Sequence, residues 1–321
     1  MSSRFFLIRR VVLAAVAAAV VAAPVPSFAS EKLTELHIGY QKYGTLVLLR
    51  ANGELEKRLA AEGVKVTWAE FQGGVKLLEA LNVGSVDFGT TGDAPPIVAQ
   101  AAGASFVYVG VEPPSPAGEA IIVKEDSPIR SVADLKGKRI ASSKGGNVHY
   151  LTLQSLSKAG LTSKDVEWSW LFPADARPAF ESGKIDAWAV WDPFLAAVQT
   201  DLKVRVVADG TYADVANYQF YLATRALAEK HPAVVKIVLD EIAKVDRQAL
   251  ADLNPLVKTL TQSTGINEAA VSLALKRMGY GVKPLSGDIV ASQQRIADTF
   301  LKEGLIPKPI VIRDAVLAAG F

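Results

Sequence analysis

The sequence predicts an α/β protein of two similar lobes, each built on its own sheet, with a ligand cleft between them. Three observations point there: a corner motif written twice, strands and helices that alternate through both halves, and a helical C-terminal third. The motif first runs from Gly84 to Pro96, GSVDFGTTGDAPP, and a related stretch runs from Gly183 to Pro193, 99 residues later. In both copies a glycine precedes a strand carrying an aspartate, Asp87 or Asp186. A second aspartate, Asp93 or Asp192, then stands ahead of proline.

The elements follow in order. Residues 36–40 read as a first strand, followed by Lys42-Tyr43-Gly44 and an apolar helix from Thr45. In the second half, residues 138–142 precede Lys144-Gly145-Gly146 and a helix from Asn147, an offset of 102. Residues 64–68 alternate apolar and polar side chains as a half-buried strand does, and 166–170 repeat them at the same offset. Helices at 77–82 and 176–181 come next, then the corner. Such βαβαβα order implies parallel pairing with helices on both faces of a sheet.

In sheets of that kind, ligands bind beyond the carboxyl ends of the strands. The Lys-x-Gly turns and the aspartate corners all lie at those ends, so each lobe would supply one wall of one site. The stiff segment 111–116, which contains Pro113, Pro114 and Pro116, leaves the first lobe. A strand at 217–222 returns to it, and helices at 232–253, 268–278 and 289–302 then close it. The first lobe would comprise 30–115 and 217–321, and the second 116–216. Two hinge crossings around a cleft describe a hinge-closing receptor, the type II periplasmic-binding-protein fold.

Residues 1–29 stand apart. Arg4, Arg9 and Arg10 precede an unbroken apolar run from Val11 to Ala23, and Ser27-Phe28-Ala29 offers small residues at a cleavage point. That is the layout of a secretory signal peptide cleaved near Ala29, with an apolar run too short for a comfortable membrane span. The formal charge of +2 belongs to this leader. Three of the 35 basic residues lie in it, so the other 32 face 33 acids and the balance is about −1. No general attraction to nucleic acid or membrane follows. Cysteine is absent, which removes disulfides, thiolate metal sites and a cysteine nucleophile. The expected location is the periplasm.

For catalysis the sequence offers no signature: no HExxH, no Gly-x-Ser-x-Gly and no Walker loop. His37, His149 and His231 are scattered, and His37 sits mid-strand, where packing is its expected job. No metal or cofactor is expected, and the protein reads as a receptor, not an enzyme. Glycines ahead of helices leave backbone N–H groups free to meet an anion, which the helix dipole also favours. Gly44 with Thr45, and Gly146 with Asn147, present two such starts from opposite lobes; Thr90, Thr91 and Gly92 add hydroxyls and amides. Tyr43, His149, Tyr150, Trp188 and Trp191 form an aromatic set suited either to a short apolar tail or to the core. Asp93 and Asp192 serve equally well as helix N-caps.

Several long blocks resemble the aliphatic sulfonate-binding proteins of ABC importers: IGYQKYGTLVLL (38–49), LLEALNVGSVDFGTTGDAPPIVAQAAGA (77–104), KGGNVHYL (144–151) and PADARPAFESGKIDAWAVWDPFLA (173–196). The similarity implies a monomeric periplasmic receptor that closes on alkanesulfonates and hands them to the permease subunits for sulfur supply. Within these blocks Gln41, Asp175, Arg177 and Asp192 complete the candidate set. Arg177 either touches the anion or pairs with Asp175 or Asp192, and Asp93 would meet an amine if the ligand carries one, as taurine does. The chain departs from the family pattern at Gln72-Gly73-Gly74, where a proline-containing turn is usual, and at Gly146, where serine is common. Receptors for taurine, nitrate or a thiamine pyrimidine precursor share the same expected architecture, as does an enzyme of pyrimidine synthesis.

Overall fold

The computed structural model describes residues 32–317, so the expected leader lies outside the described residues. Ten strands form two five-stranded sheets. The first sheet takes β1 (Glu35–Tyr40), β2 (Lys65–Glu70), β3 (Phe88–Gly92) and β4 (Phe106–Val111). The second takes β5 (Glu119–Lys124), β6 (Arg139–Ser142), β7 (Glu167–Trp170), β8 (Ala187–Trp191) and β9 (Val204–Asp209). A tenth strand, β10 (Gln219–Thr224), returns to the first sheet. The orders are β2-β1-β3-β10-β4 and β7-β6-β8-β5-β9, the same plan twice.

The pairing differs from the parallel expectation at one strand in each sheet. β1 and β6 pair in parallel with both of their neighbours, but β10 runs antiparallel to β3 and β4, and β5 runs antiparallel to β8 and β9. These two are the crossing strands. A chain arriving from the other lobe enters its new sheet at the cleft end, where the parallel strands finish, and can only run back away from it. β5 carries no copy of the repeated motif, which is why it escapes the sequence pattern.

The repeated aspartate has a structural role at the far end of each sheet. The backbone N–H of His37 donates to Asp87 Oδ2 at 2.9 Å, and the N–H of Arg139 donates to Asp186 Oδ2 at 2.8 Å. Asp87 and Asp186 return the bond from their own N–H groups to the carbonyls of His37 and Arg139. Each aspartate thus ties two strands that neighbour one another in its sheet, β1 to β3 in the first lobe and β6 to β8 in the second. The His37 ring joins the clasp, its Nδ1 2.8 Å from Asp87 Oδ2, with a side chain 44% exposed, so it is not the packing residue expected mid-strand.

Helices cover both faces of each sheet. On the first, Leu36 and Ile38 of β1 bury against Leu46 and Leu49 of helix Thr45–Asn52 and against Val238 and Ile242 of helix Pro232–Ala251. Helix Gly74–Asn82 sits so close to the other face that a side chain on Gly89 would fall 2.7 Å from Leu77. Trp188, for which tail contact and core packing both stood open, is buried in the second lobe's core, its ring 5.9 Å from Phe180.

The C-terminal helices do more than close the first lobe. Helix Glu268–Arg277 packs Ala270 and Ala274 against Ala196 and Ala197 of helix Phe194–Asp201 in the second lobe. Helix Gly287–Lys302 reaches the second lobe through Phe300, which lies 6.0 Å from the His149 ring. Helix Asn254–Thr264, absent from the sequence expectation, follows an Asn-Pro start that reads equally as a turn. Among the described residues no helix is long and apolar enough to cross a membrane.

Candidate functional site

The carboxyl ends of the strands of both sheets meet at a small chamber of about 50 Å3. The first lobe brings Gln41 and Tyr43 after β1, Gly73 and Gly74 after β2, and Gly92 at the end of β3. From the second lobe come Ser143, Gly146 and Asn147 after β6, Phe172 after β7, and Trp191 at the end of β8. Gly118, Asn217 and Gln219 enter from the two crossings.

Two helix starts face this chamber from opposite lobes. Helix Gly74–Asn82 begins behind Gly73 and helix Asn147–Lys158 behind Gly146; neither has a side-chain cap or an acid in its first turn. The first amides of a helix have no intrahelical acceptor, and the dipole places partial positive charge on them. An anion between the two starts would satisfy both. Asn147 also bridges the walls: its Nδ2 donates to Asn217 Oδ1 at 2.8 Å, and its Oδ1 accepts from the Ala94 N–H at 3.4 Å.

A second polar layer braces the floor. Gln41 Nε2 donates to the Thr90 carbonyl at 3.0 Å, Gln219 Nε2 to Thr90 Oγ1 at 2.6 Å, and Asn217 Nδ2 to the Ser115 carbonyl at 2.9 Å. These bonds fix side chains that have no freedom to titrate, as suits a ligand whose charge is permanent.

The buried carboxylates nearby are all shifted toward the neutral form. Burial pushes Asp93 up to about 7 and Glu119 well above its ordinary range. Burial also drives Glu112 up to about 9, helped by the Asp246 charge. Asp192 rises only to about 6, because the Arg277 guanidinium at 3.3 Å opposes the effect of burial. An anion in the chamber therefore meets amides and amide side chains, with much of the surrounding acid held neutral.

The family described as NMT1/THI5 like matches residues 59–252. An aliphatic sulfonates-binding protein of Escherichia coli is 44% identical over 283 residues, covering 88% of each chain. Among solved structures, the alkanesulfonate-binding protein SsuA from Xanthomonas axonopodis pv. citri, bound to MOPS, superposes with a TM-score of 0.85. It is 42% identical, with 90% of this chain and 100% of that one covered. The periplasmic aliphatic sulphonate binding protein SsuA from Escherichia coli gives 0.81 at 42% identity, covering 90% and 94%.

The chain belongs to the aliphatic sulfonate-binding protein family.

In this sulfonate-binding-family chain, the structure brings six of the sequence-predicted residues to the chamber: Gln41, Tyr43, Gly92, Gly146, Asn147 and Trp191. Others stand one layer behind. Gly44 abuts the Gln219 side chain, and Thr91 donates its hydroxyl to the Gly92 carbonyl. Asp93 is buried beneath the chamber and accepts the Tyr218 N–H at 3.3 Å, so it caps no helix. Asp192 accepts the Ala196 N–H at 3.0 Å in the first turn of its helix and pairs with Arg277.

The remainder lie elsewhere. Thr45 donates to Asp246 at 2.9 Å, behind the first sheet's helices. His149 accepts the Gly145 N–H at 3.2 Å and packs edge-on against Trp168 and Trp170. Burial lowers it to about 4, so a neutral ring pins the glycine turn. Tyr150 packs against Phe300, 6.2 Å between rings. Asp175 is exposed on helix Pro173–Glu181, and Arg177 pairs at the surface with Glu181 and Asp201, both at 2.8 Å, and not with either aspartate expected.

Sequence reasoning missed Gly73, Gly74, Ser143, Phe172, Asn217 and Gln219 as chamber residues. Gly73-Gly74 carried a signal: like Gly145-Gly146 it is a glycine pair at a helix start. Of the first lobe's helices it is the one from Gly74, and not the one from Thr45, whose start lines the chamber.

Proposed function

We propose that this protein is a periplasmic receptor that binds aliphatic sulfonates between its lobes and delivers them to an ABC permease for sulfur acquisition. The observation that carries this reading is the pair of uncapped helix starts, at Gly74 and Asn147, facing one small chamber from opposite lobes. A sulfonate is ionised throughout the physiological pH range, so neutral N–H donors suffice and no second full charge is buried. The family's sulfonate-binding members support the ligand class, and the E. coli SsuA described as periplasmic supports the location.

In this reading the segments between Val111 and Glu119 and between Asp209 and Gln219 act as the hinge between lobes 30–115 with 217–321 and 116–216. The protein works as a monomer and catalyses no reaction, and the leader is cleaved near Ala29. N-terminal sequencing of the exported protein tests the cleavage.

The decisive experiment is a thermal-shift screen of residues 30–321 against alkanesulfonates, taurine, sulfate, nitrate and a thiamine pyrimidine precursor. A ligand that binds only the folded state raises Tm by mass action. A rise with butanesulfonate or pentanesulfonate and none with nitrate is expected. Silence from every sulfonate with a response to another anion would move the protein to a different ligand class on the same fold.

A further inference from the structure

Two acids sit directly behind the chamber, one from each lobe, and the binding of a sulfonate has no use for either. Gly92 and Gly118 both line the chamber, and an acid follows each of them: Asp93 just past the end of β3, and Glu119 at the start of β5. Both are closed off from solvent, at 1% and 0% exposure.

Neither carboxyl is satisfied there. Asp93 Oδ2 accepts the Tyr218 N–H at 3.3 Å, but Asp93 Oδ1 and both oxygens of Glu119 have no hydrogen-bond partner. Asp192, at the corner of the second lobe, has Arg277 for a partner; among the described residues Asp93 and Glu119 enter no ion pair. The titratable groups that face them are phenols and one another. Asp93 acts on Tyr108, Tyr150 and Glu119, and Glu119 acts on Tyr43. Arg295 influences Tyr150 but neither carboxyl.

A charge taken out of water without a partner is far costlier than a neutral carboxyl, so such a group takes a proton instead. Burial pushes both acids up, and the Asp93 charge raises Glu119 further. The cover over them comes in part from the opposite lobe. Asn147 fills the space beside Gly92 and accepts the Ala94 N–H at 3.4 Å, so it lies across the residues on either side of Asp93. Glu112 differs, because it is buried inside the first lobe, where the Tyr221 hydroxyl donates to it at 2.6 Å.

We propose that closing the lobes on a sulfonate takes up a proton, held between Glu119 and Asp93, so that the receptor grips its ligand less tightly as the medium turns alkaline. Opening withdraws Asn147 and lets water hydrate the two carboxylates; closing strips that water away and favours the acid form. The proton comes from solvent and converts a carboxylate to a carboxylic acid, with no other bond changed. The sulfonate has no proton to exchange in this range, so the pH dependence belongs to the protein. This proposal rests on the sulfonate reading of the chamber and adds regulation to it.

Calorimetric titration of residues 30–321 with ethanesulfonate at pH 7, in cacodylate and in imidazole, tests it. These buffers differ in heat of protonation, so proton uptake appears as a difference in apparent binding enthalpy; sulfonic-acid buffers are avoided because they present the head group themselves. Uptake is expected, together with a fall in affinity of about tenfold or more between pH 6 and 8. Glu119→Gln and Asp93→Asn, each close in shape to the protonated residue, should each reduce the uptake and flatten the pH profile while leaving affinity at pH 6 near the parent's. Ethanesulfonate binding with equal enthalpy in both buffers, or uptake undiminished in both variants, would overturn the proton linkage and leave the sulfonate receptor standing. The parent measurement decides even if a variant fails to fold. If no sulfonate binds, both readings fall together.

Discussion

Asn147 of the second lobe occupies the space that any side chain on Gly92 of the first lobe would need. A Cβ built on Gly92 would fall inside the Asn147 amide group. The same amide bonds to Asn217 in the return crossing, so one side chain touches both lobes and the hinge segment. Contact of this kind exists only while the lobes are together, and a methyl group at position 92 would prop them apart.

Gly92→Ala should therefore reduce the population able to close. Apparent affinity falls in proportion to that population, and a loss of at least about tenfold is expected for every sulfonate. The ligand-free Tm should move little. Calorimetric titration and a melt of the same sample check both statements; unchanged affinity would place the contact outside the closing motion.

Asn147→Asp keeps the shape and adds a negative charge at the helix start that faces the anion. Two like charges about 4 Å apart at an effective dielectric of about 20 repel by about 4 kcal/mol. A loss of about a hundredfold or more, equal across tail lengths, is expected from titration with ethanesulfonate and pentanesulfonate. Retained affinity would remove this helix start from the head-group site.

Trp191→Ala acts where the end of β8 meets the chamber. It should weaken pentanesulfonate more than ethanesulfonate, since the longer tail loses apolar contact worth about 0.8 kcal/mol for each methylene. Equal losses for the two ligands would assign Trp191 to shaping the chamber alone.

Arg277 is the partner that keeps Asp192 charged in a fully buried position. Arg277→Ala leaves that carboxylate without its cation, and breaking a buried pair costs about 3–5 kcal/mol. Chemical denaturation should show the loss, and Asp192→Asn introduced alongside should restore part of it. A single variant as stable as the parent would mean that solvent already screens the pair.

Stability should also fall as pH rises. Glu112 ordinarily ionises near 4.5 but is raised to about 9 in the folded chain, by burial first and then by the Asp246 charge. The folded state thus holds a proton that the unfolded chain has released. Its stabilising contribution is complete below about pH 4.5 and declines through pH 9, by about 1.4 kcal/mol for each pH unit. Glu112→Gln should flatten the dependence of Tm on pH between 5 and 9; a slope identical to the parent's would show that Glu112 is ionised throughout.

The repeat made much of this architecture readable. Gly84 and Gly183, Asp87 and Asp186 stand at matching places because both lobes need the same turn and the same tie, β1 to β3 in one and β6 to β8 in the other. The glycine turn before Asn147 was legible for a similar reason: glycines ahead of a helix leave its first amides without a side-chain cap, and the structure places that start at the chamber. What the sequence concealed was relational. β5 and β10 look like any apolar strand, and only their arrival from the other lobe makes them antiparallel. His149 and Tyr150 lie beside the chamber in sequence, yet helix Asn147–Lys158 turns them toward Phe300 and the core. Phe172 and Gln219 sit on segments with no motif, and only the meeting of the lobes places them together.

The crossing strands have one more consequence, for the order in which the molecule can be completed. The second sheet, β7-β6-β8-β5-β9, is drawn entirely from residues 119–209, whereas the first must wait for residues 219–224. Because β10 lies between β3 and β4, a growing chain that has made all four earlier strands still has β3 as a bare edge and β4, buried along its whole length in the finished protein, with no neighbour. Such unpaired strands attract one another between chains. The lobe begun first is the lobe finished last, and a chain cut short before residue 224 would carry its most adhesive strand uncovered.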